Sequence, residues 1–326
     1  MTLTLTNEQW PVAGTFRIAR GVQTQVALLI AELRDGPHVG RGEAAGVNYH
    51  DETVASMRAQ IEAVRTEVEA GLDRMALLDL LPAGGARNAL DCALWDLEAK
   101  RTGTPAWQLA QQGPPDPLTT AYTISLDTPE AMAAKARAHA TYRLLKVKLG
   151  TAEDDVERIR LIREAAPEAA LIVDANEGWT FEQVEAYAPA LHELGVLLIE
   201  QPLPDGQDEV LSAYRGPVPL CADESCQTSA SLDALSPGYA YVNIKLDKTG
   251  GLTEAFHLLR AAQARNLGLM VGCMLGTSLG MAPAFLIGQH CRFVDLDGPL
   301  LQAKDRTPGI RYNGSTMHAP PPELWG

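Results

Sequence analysis

The sequence predicts an α/β protein: a (β/α)7β barrel of the TIM type with an α+β capping domain. Three observations carry this. From about residue 117 onward, eight short β-branched or apolar runs alternate with longer helical patterns. The first 116 residues read differently, as an antiparallel sheet followed by helices. And six of the eight runs end in charged residues, where buried parallel strands should stay apolar.

The eight runs are Thr119–Ser125, Leu144–Leu149, Leu171–Asp174, Val196–Glu200, Pro219–Ala222, Tyr241–Lys245, Leu269–Gly272 and Phe293–Asp297. A helix is expected after each but the last. Such βα units imply a parallel sheet, and eight of them suggest closure. The interval after Glu200 is the least regular, with Pro202, Pro204 and Gly206.

Residues 3 to 46 alternate apolar and polar around a turn at Arg34-Asp35-Gly36-Pro37, as antiparallel strands do. Helices are expected from about Asp51 to Gly71 and from Ala86 to Arg101. The second places Leu90, Ala93, Leu94 and Leu97 on one stripe. The segment 111–117, Gln-Gln-Gly-Pro-Pro-Asp-Pro, ends this part, since neither helix nor central strand would cross it. The Pro- and Gly-rich tail, about 300–326, is expected to fold back on it. The capping domain is thus 1–116 plus the tail, and the barrel 117–299.

A chain of 326 residues can hold a barrel and an accessory domain. Hydrophobic residues make up 46% and charged residues 21%, ordinary for a globular protein. No apolar run approaches the roughly 18 residues of a transmembrane helix. Met1 to Trp10 lacks the basic and apolar stretches of a secretory signal. Five cysteines without a CxxC pair read as reduced thiols, which suits a cytoplasmic location. A formal charge of −14 argues against nucleic acid and membrane partners. A small anionic substrate would have to meet a local positive island. A homo-oligomer is compatible with such a barrel.

The charges at the strand ends supply that island. Run 2 ends in Lys146-Val147-Lys148, run 3 in Asp174, run 4 in Glu200, run 5 in Asp223, run 6 in Lys245 and run 8 in Asp295-Leu296-Asp297. The C-terminal strand ends of a barrel are where chemistry is done. Neighbouring strands 3, 4 and 5 would bring Asp174, Glu200 and Asp223 together, and three such carboxylates repel unless a cation lies among them. Oxygen-only donors favour one hard ion per site, Mg²⁺. Strands 2 and 6 are opposed in a ring of eight, so Lys148 and Lys245 would flank the metal. Strand 8, opposite strand 4, would turn Asp295 and Asp297 across the pocket toward it.

This layout suits removal of a proton α to a carboxylate. The metal stabilises the enediolate charge. One lysine takes the proton and the other returns it on the opposite face, which inverts the carbon. Neighbouring cations are expected to lower the basic lysine's pKa. Glu224 is read as orienting its neighbours rather than binding metal. Asp247 and Lys248 are either partners of the site or a solvated pair.

With those residues assembled, the chain resembles the enolase superfamily, its muconate-lactonizing subgroup, and within it the dipeptide epimerases. The matching segments are Leu145-Lys146-Val147-Lys148, Val173-Asp174-Ala175-Asn176, Ile199-Glu200-Gln201-Pro202, Ala222-Asp223-Glu224-Ser225, Asn243-Ile244-Lys245-Leu246 and, earlier, Ala86-Arg87-Asn88-Ala89-Leu90-Asp91. The resemblance implies Asp174, Glu200 and Asp223 as Mg²⁺ ligands and Lys148 and Lys245 as the acid/base pair. Lys146 would hold the substrate carboxylate and tune Lys148, with Asn176 and Glu224 in support.

Asp295 and Asp297 look like the family's site for the ammonium of a dipeptide, and their surroundings look most like L-Ala-D/L-Glu epimerases. The same resemblance places Arg20 against a glutamate side chain and Thr123 against the substrate. Gly276 stands where some relatives carry a charge. The alternatives are an o-succinylbenzoate synthase or muconate cycloisomerase, a metal-free Schiff-base aldolase, and a non-catalytic barrel.

Overall fold

The computed structural model describes residues 1–19, 21–151 and 153–326. Three antiparallel strands open the chain, β1 (Thr2–Ile18), β2 (Gly21–Asp35) and β3 (His38–Ala44), with β2 in the middle. Successive residues of a strand face opposite ways, and the centre of β2 is covered on both sides. Leu29, Ala31 and Leu33 join a core with the first helices, whereas Val26, Leu28 and Ile30 join the core of the barrel. This sheet is therefore the layer through which the two parts of the molecule share apolar surface.

Four helices follow, α1 (Val54–Ala63), α2 (Arg65–Glu69), α3 (Arg74–Leu80) and α4 (Gly85–Thr102). The single helix expected from Asp51 to Gly71 is two. Thr53 caps the first, its hydroxyl accepting from Ser56 N–H, and Val64 breaks the run by leaving helical dihedrals (φ −115°, ψ 14°). Ile61, Val64 and Val68 all reach one core across that break. The α4 stripe Leu90, Ala93, Leu94 and Leu97 packs in the same core, as its spacing requires, while Cys92 and Trp95 face the barrel.

A short helix, α5 (Ala106–Leu109), and a two-residue strand, β4 (Leu118–Thr119), lead into the barrel. Its strands are β5 (Tyr122–Ile124), β6 (Leu144–Lys148), β7 (Ala170–Asp174), β8 (Val196–Glu200), β9 (Leu220–Ala222), β10 (Tyr239–Ile244), β11 (Gly268–Val271) and β12 (Phe293–Val294), all parallel and side by side in chain order. The ring closes where Thr120 bridges Val294 and Ala121 N–H donates to Val294 O at 2.8 Å. Ala121, Leu144, Ile172, Leu198, Cys221, Met270 and Phe293 fill its interior.

The connecting helices are α6 (Pro129–Ala138), α7 (Asp155–Ala165), α8 (Phe181–Glu193), α9 (Leu246–Thr249), α10 (Leu252–Ala264) and α11 (Ser278–Gly288). Two expected helices are absent. After β8 and β9 the chain makes only 3-10 turns, Glu209–Ala213 and Ser229–Asp233. Pro202 and Pro204 deny the first connection two helical N–H donors. In the second, only Leu232 of the turn is buried, too little apolar stripe to seat a longer helix.

Three runs also divide or end earlier than expected. The first splits into β4 and β5, β10 stops before Lys245, and β12 stops before Asp295. Asp295, Asp297 and Lys245 therefore stand just beyond their strands. The tail forms β13 (Tyr312–Asn313) and β14 (Thr316–Met317), which pair with each other, and β14 pairs in turn with β4. It then returns to α4, where Trp325 Nε1 donates to Cys92 O and Gly326 N–H to Asp96 Oδ1. Among the described residues no helix is long and apolar enough to cross a membrane.

Candidate active site

Asp174 ends β7, Glu200 ends the neighbouring β8, and Asp223 follows β9. Strand register puts Asp174 beside Glu200 and Glu200 beside Cys221, so the three carboxylates converge by sheet geometry alone. One oxygen from each lies within 4.8 Å of the others, and all three residues are buried. Burial, reinforced by Asp174, pushes the Glu200 carboxyl up to about 8. Burial would raise Asp174 as well, but Lys148 and Lys146 overcome it and hold that carboxyl below the usual range. Lys245 and Lys248 do the same for Asp223.

The lysines reach the cluster from two strands, β6 and the end of β10. Lys148 Nζ is 2.6 Å from Asp174 Oδ2, and Lys245 Nζ is 2.5 Å from Asp223 Oδ2. Lys146 Nζ stands between Glu200 Oε2 at 2.7 Å, Asp295 Oδ2 at 2.8 Å and Asp174 Oδ2 at 3.2 Å. At Lys146 and Lys245 the carboxylates outweigh the neighbouring lysines. Burial would lower Lys245 and Lys146, yet the facing carboxylates, Asp223 and Asp295 first, hold both above the ordinary lysine range. Their nearest charged neighbours are anions, not one another.

A divalent cation suits these residues on the structure's own terms. Glu200 Oε2 and Asp223 Oδ1 are buried and accept no hydrogen bond, although Lys146 and Lys248 stand 2.7 Å away. Close approach without a directed bond leaves lone pairs on both oxygens. An all-carboxylate set of this kind is the donor chemistry of a hard ion such as Mg²⁺.

A cavity of about 350 Å³ opens over the cluster, bounded by Lys146, Lys148, Asn176, Lys245, Asp295 and Asp297. Asp297 Oδ2 accepts from Thr123 N–H at 2.6 Å, which anchors the segment after β12 to β5. Burial, followed by the charge of Asp295, lifts the Asp297 carboxyl to about 7. Asn176 N–H donates to Asp174 Oδ1 at 2.9 Å from a left-handed backbone (φ 44°). Glu224 is buried beside Asp223. Arg20 lies outside the described residues, while Phe16, Ile18 and Val22 of the strands flanking it line the cavity.

Several contributors escape a reading of the sequence. Asn243 Nδ2 donates to Glu200 Oε1 at 2.7 Å, and Gln201 Oε1 accepts from Asp223 N–H at 2.8 Å. Lys248 is fully buried against Asp223, which settles it as a partner of the cluster. Asp247 instead accepts from Ala45 and Gly46 N–H, tying the barrel to the loop after β3, from which Tyr49 enters the cavity. Two signals for these were present: Gln201 sits inside a matched motif, and Lys248 follows Lys245 by one helical turn.

The α4 motif acts from below. Arg87 donates to Thr249 O and Gly250 O, while Asp91 accepts from Thr253 N–H and hydroxyl. Gly251 lies between them at φ 113°, where a Cβ would come within 2.5 Å of Asp91. Gly272 keeps the other flank open, since a Cβ there would lie 3.1 Å from Lys245 Cε.

A parallel barrel with three carboxylates on consecutive strand ends, and lysines on strands four apart, defines an enzyme of cation-assisted proton transfer at carbon. Comparison with known proteins agrees. Residues 1–110 match the mandelate racemase / muconate lactonizing enzyme N-terminal domain, and residues 130–320 match the enolase C-terminal domain-like family. The chain belongs to the enolase superfamily.

It is 43% identical to the L-Ala-D/L-Glu epimerase of Escherichia coli (strain K12), over 97% of this chain and 99% of that protein. It is also 43% identical to an N-acetyl-D-glutamate racemase of Pseudoalteromonas sp, over 92% and 95%. Among solved structures, an Agrobacterium tumefaciens enolase family member with homology to dipeptide epimerases superposes with a TM-score of 0.97. It is 49% identical, each chain is covered to 99%, and it holds sodium and L-Ala-L-Glu with an ordered loop.

Proposed function

We propose that this protein is a Mg²⁺-dependent dipeptide epimerase that inverts the α-carbon of the C-terminal residue in L-Ala-D/L-Glu-type dipeptides. The observation that carries this is one cavity lined by lysines from strands four apart and by the Asp295/Asp297 pair, with the Asp174–Glu200–Asp223 cluster in ion-pair contact with those lysines. Asp174, Glu200 and Asp223 hold the ion. When bound, it draws charge from the substrate carboxylate and so acidifies the neighbouring C–H.

The protein's own groups do the rest. Lys148 and Lys245 exchange the α-proton at Nζ, one removing it and the other delivering it on the opposite face. Lys146 holds the carboxylate, Thr123 lines the substrate, and Asn176 and Glu224 steady the ligands. Asp295 and Asp297 take the substrate's ammonium, which distinguishes this site from a cycloisomerase or o-succinylbenzoate synthase. Arg20, between β1 and β2 in sequence, is the group assigned to the glutamate side chain. Five free cysteines support a cytoplasmic location.

The test is a dipeptide library incubated in D₂O with Mg²⁺, read by mass spectrometry for deuterium at the C-terminal residue. L-Ala-L-Glu and L-Ala-D-Glu should exchange fastest. N-acetylglutamate belongs in the same panel, because one close relative is named for it. Faster exchange from N-acetylglutamate than from any dipeptide would overturn the ammonium assignment, and turnover of succinylbenzoate precursors alone would overturn the epimerase.

A further inference from the structure

Lys248 stands apart from the other lysines of the site. Lys146, Lys148 and Lys245 point their ammonium groups at carboxylate oxygens along the cavity wall, and each lines the cavity. Lys248 does not line it. Its Nζ lies behind Asp223 and donates to three backbone carbonyls, Asp223 O, Cys226 O (2.8 Å) and Asn243 O (3.0 Å). Three carbonyl acceptors use three N–H groups, the full complement of an ammonium. The same nitrogen is 2.7 Å from Asp223 Oδ1, yet that oxygen accepts no hydrogen bond. Lys248 therefore presents charge to a cluster oxygen while leaving its lone pairs undirected.

The three carbonyls also fix where that charge sits. They belong to the end of β10, to Asp223 itself and to the loop beyond it, so Lys248 cannot turn away without breaking all three bonds. The wall lysines have no such tether. Lys245 and Lys148 can swing from carboxylate to substrate, whereas Lys248 stays.

We infer that Lys248 is a positioning residue that pins Asp223 and permanently offsets part of its charge, so that the cluster holds its cation less tightly and leaves it more electrophilic toward the substrate carboxylate. This rests on the reading that the cluster binds a divalent cation. It separates two roles by sign. A mere structural brace, once removed, loosens a ligand and weakens cation binding. A charge offset, once removed, strengthens it.

The experiment is calorimetric titration of Mg²⁺, without substrate, into metal-depleted wild type, Lys248→Met and Lys248→Arg, with kcat and KM measured in parallel. Lys248→Met should bind Mg²⁺ at least about tenfold tighter, since a unit charge against a ligand oxygen outweighs that even at high effective dielectric. Its kcat should fall while KM changes little, and Lys248→Arg should restore both values toward wild type. Unchanged or weaker Mg²⁺ binding by a folded Lys248→Met overturns the inference. If wild type binds no Mg²⁺, the cation reading itself falls, which is a separate outcome.

Should Lys248→Met not fold, Lys248→Gln decides the matter by the same titration, because its neutral amide can still donate to the backbone carbonyls that hold the side chain. Unchanged or weaker Mg²⁺ binding by Lys248→Gln overturns the inference.

Discussion

Lys245 Nζ lies 2.5 Å from Asp223 Oδ2, and the mirror contact on the other flank joins Lys148 Nζ to Asp174 Oδ2 at 2.6 Å. Each lysine proposed as acid or base is thus paired with an outer member of the carboxylate cluster. With those oxygens given to a bound divalent cation, Lys148 and Lys245 would be released toward the substrate, one as the amine and the other as the ammonium. Chelation with EDTA should abolish α-proton exchange, and Mg²⁺ should restore it. In calorimetric scans, Mg²⁺ at a hundredfold excess over Kd should stabilise the protein by about 2.7 kcal/mol, a shift of several degrees in Tm. Activity surviving EDTA would favour a Schiff-base mechanism on the same lysines.

The two lysines should be separable by stereochemistry. Lys148→Ala and Lys245→Ala should each lower epimerisation by about 10²- to 10⁴-fold, the usual contribution of a positioned acid or base. Each variant should still exchange deuterium into one stereoisomer, and the two should retain opposite ones. The readout is mass spectrometry on separated L-Ala-L-Glu and L-Ala-D-Glu. Loss of exchange from both stereoisomers in both variants would mean that the lysines share one face.

Why these residues were legible follows from strand physics. A buried parallel strand has no use for a terminal charge, so Lys148, Asp174, Glu200, Asp223 and Lys245 stand out against apolar runs. Strand order then fixes neighbours and opposites without further information. What stayed hidden depends on distance in sequence. Nothing in residues 45–46 announces that their N–H groups meet Asp247, some 200 positions later. The missing helices after β8 and β9 were illegible for another reason: a short amphipathic turn and a short helix share one pattern, and tertiary coverage decides between them. The lysine pKa expectation weighed the neighbouring cations alone, although the strand ends had already placed Asp223 and Asp295 within reach of Lys245 and Lys146.

Asp297 should impart a pH dependence on both activity and stability. Its carboxyl, lifted to about 7 by burial and Asp295, must be ionised to hold an ammonium. kcat/KM for L-Ala-L-Glu should therefore fall tenfold per unit below about pH 7. It should fall again above about 8, where a free α-amino group loses its proton. Asp297→Asn should flatten the acid limb and weaken binding. For stability the sign is the reverse of an ordinary carboxylate. The native state binds the extra proton between the unfolded value near 3.8 and about 7, so stability falls as pH rises through that window. The total is on the order of 4 kcal/mol. Denaturant midpoints of wild type and Asp297→Asn should diverge from pH 4 to pH 8, in favour of the variant; parallel midpoints would refute a raised Asp297.

Arg87 should link capping-domain packing to catalysis without touching substrate. Its guanidinium donates to Leu78 O, Leu81 O, Thr249 O and Gly250 O, so one side chain closes both α3 and the turn α9 that begins after Lys245. Arg87→Met preserves much of the bulk but leaves buried carbonyls unpaired, at a cost of about 3 kcal/mol or more. A drop in Tm of roughly 6 °C or more should follow. Because Lys245 is carried by the same turn, kcat should fall by up to about 10²-fold while KM moves less, as displacement of one reacting group by an ångström does. Lys248 rides on the same turn, so Mg²⁺ affinity should shift together with kcat, although β7, β8 and β9 themselves are not held by Arg87. A variant that lost stability but kept full kcat would show that the Lys245 turn is held by Asp91 and Thr253 alone.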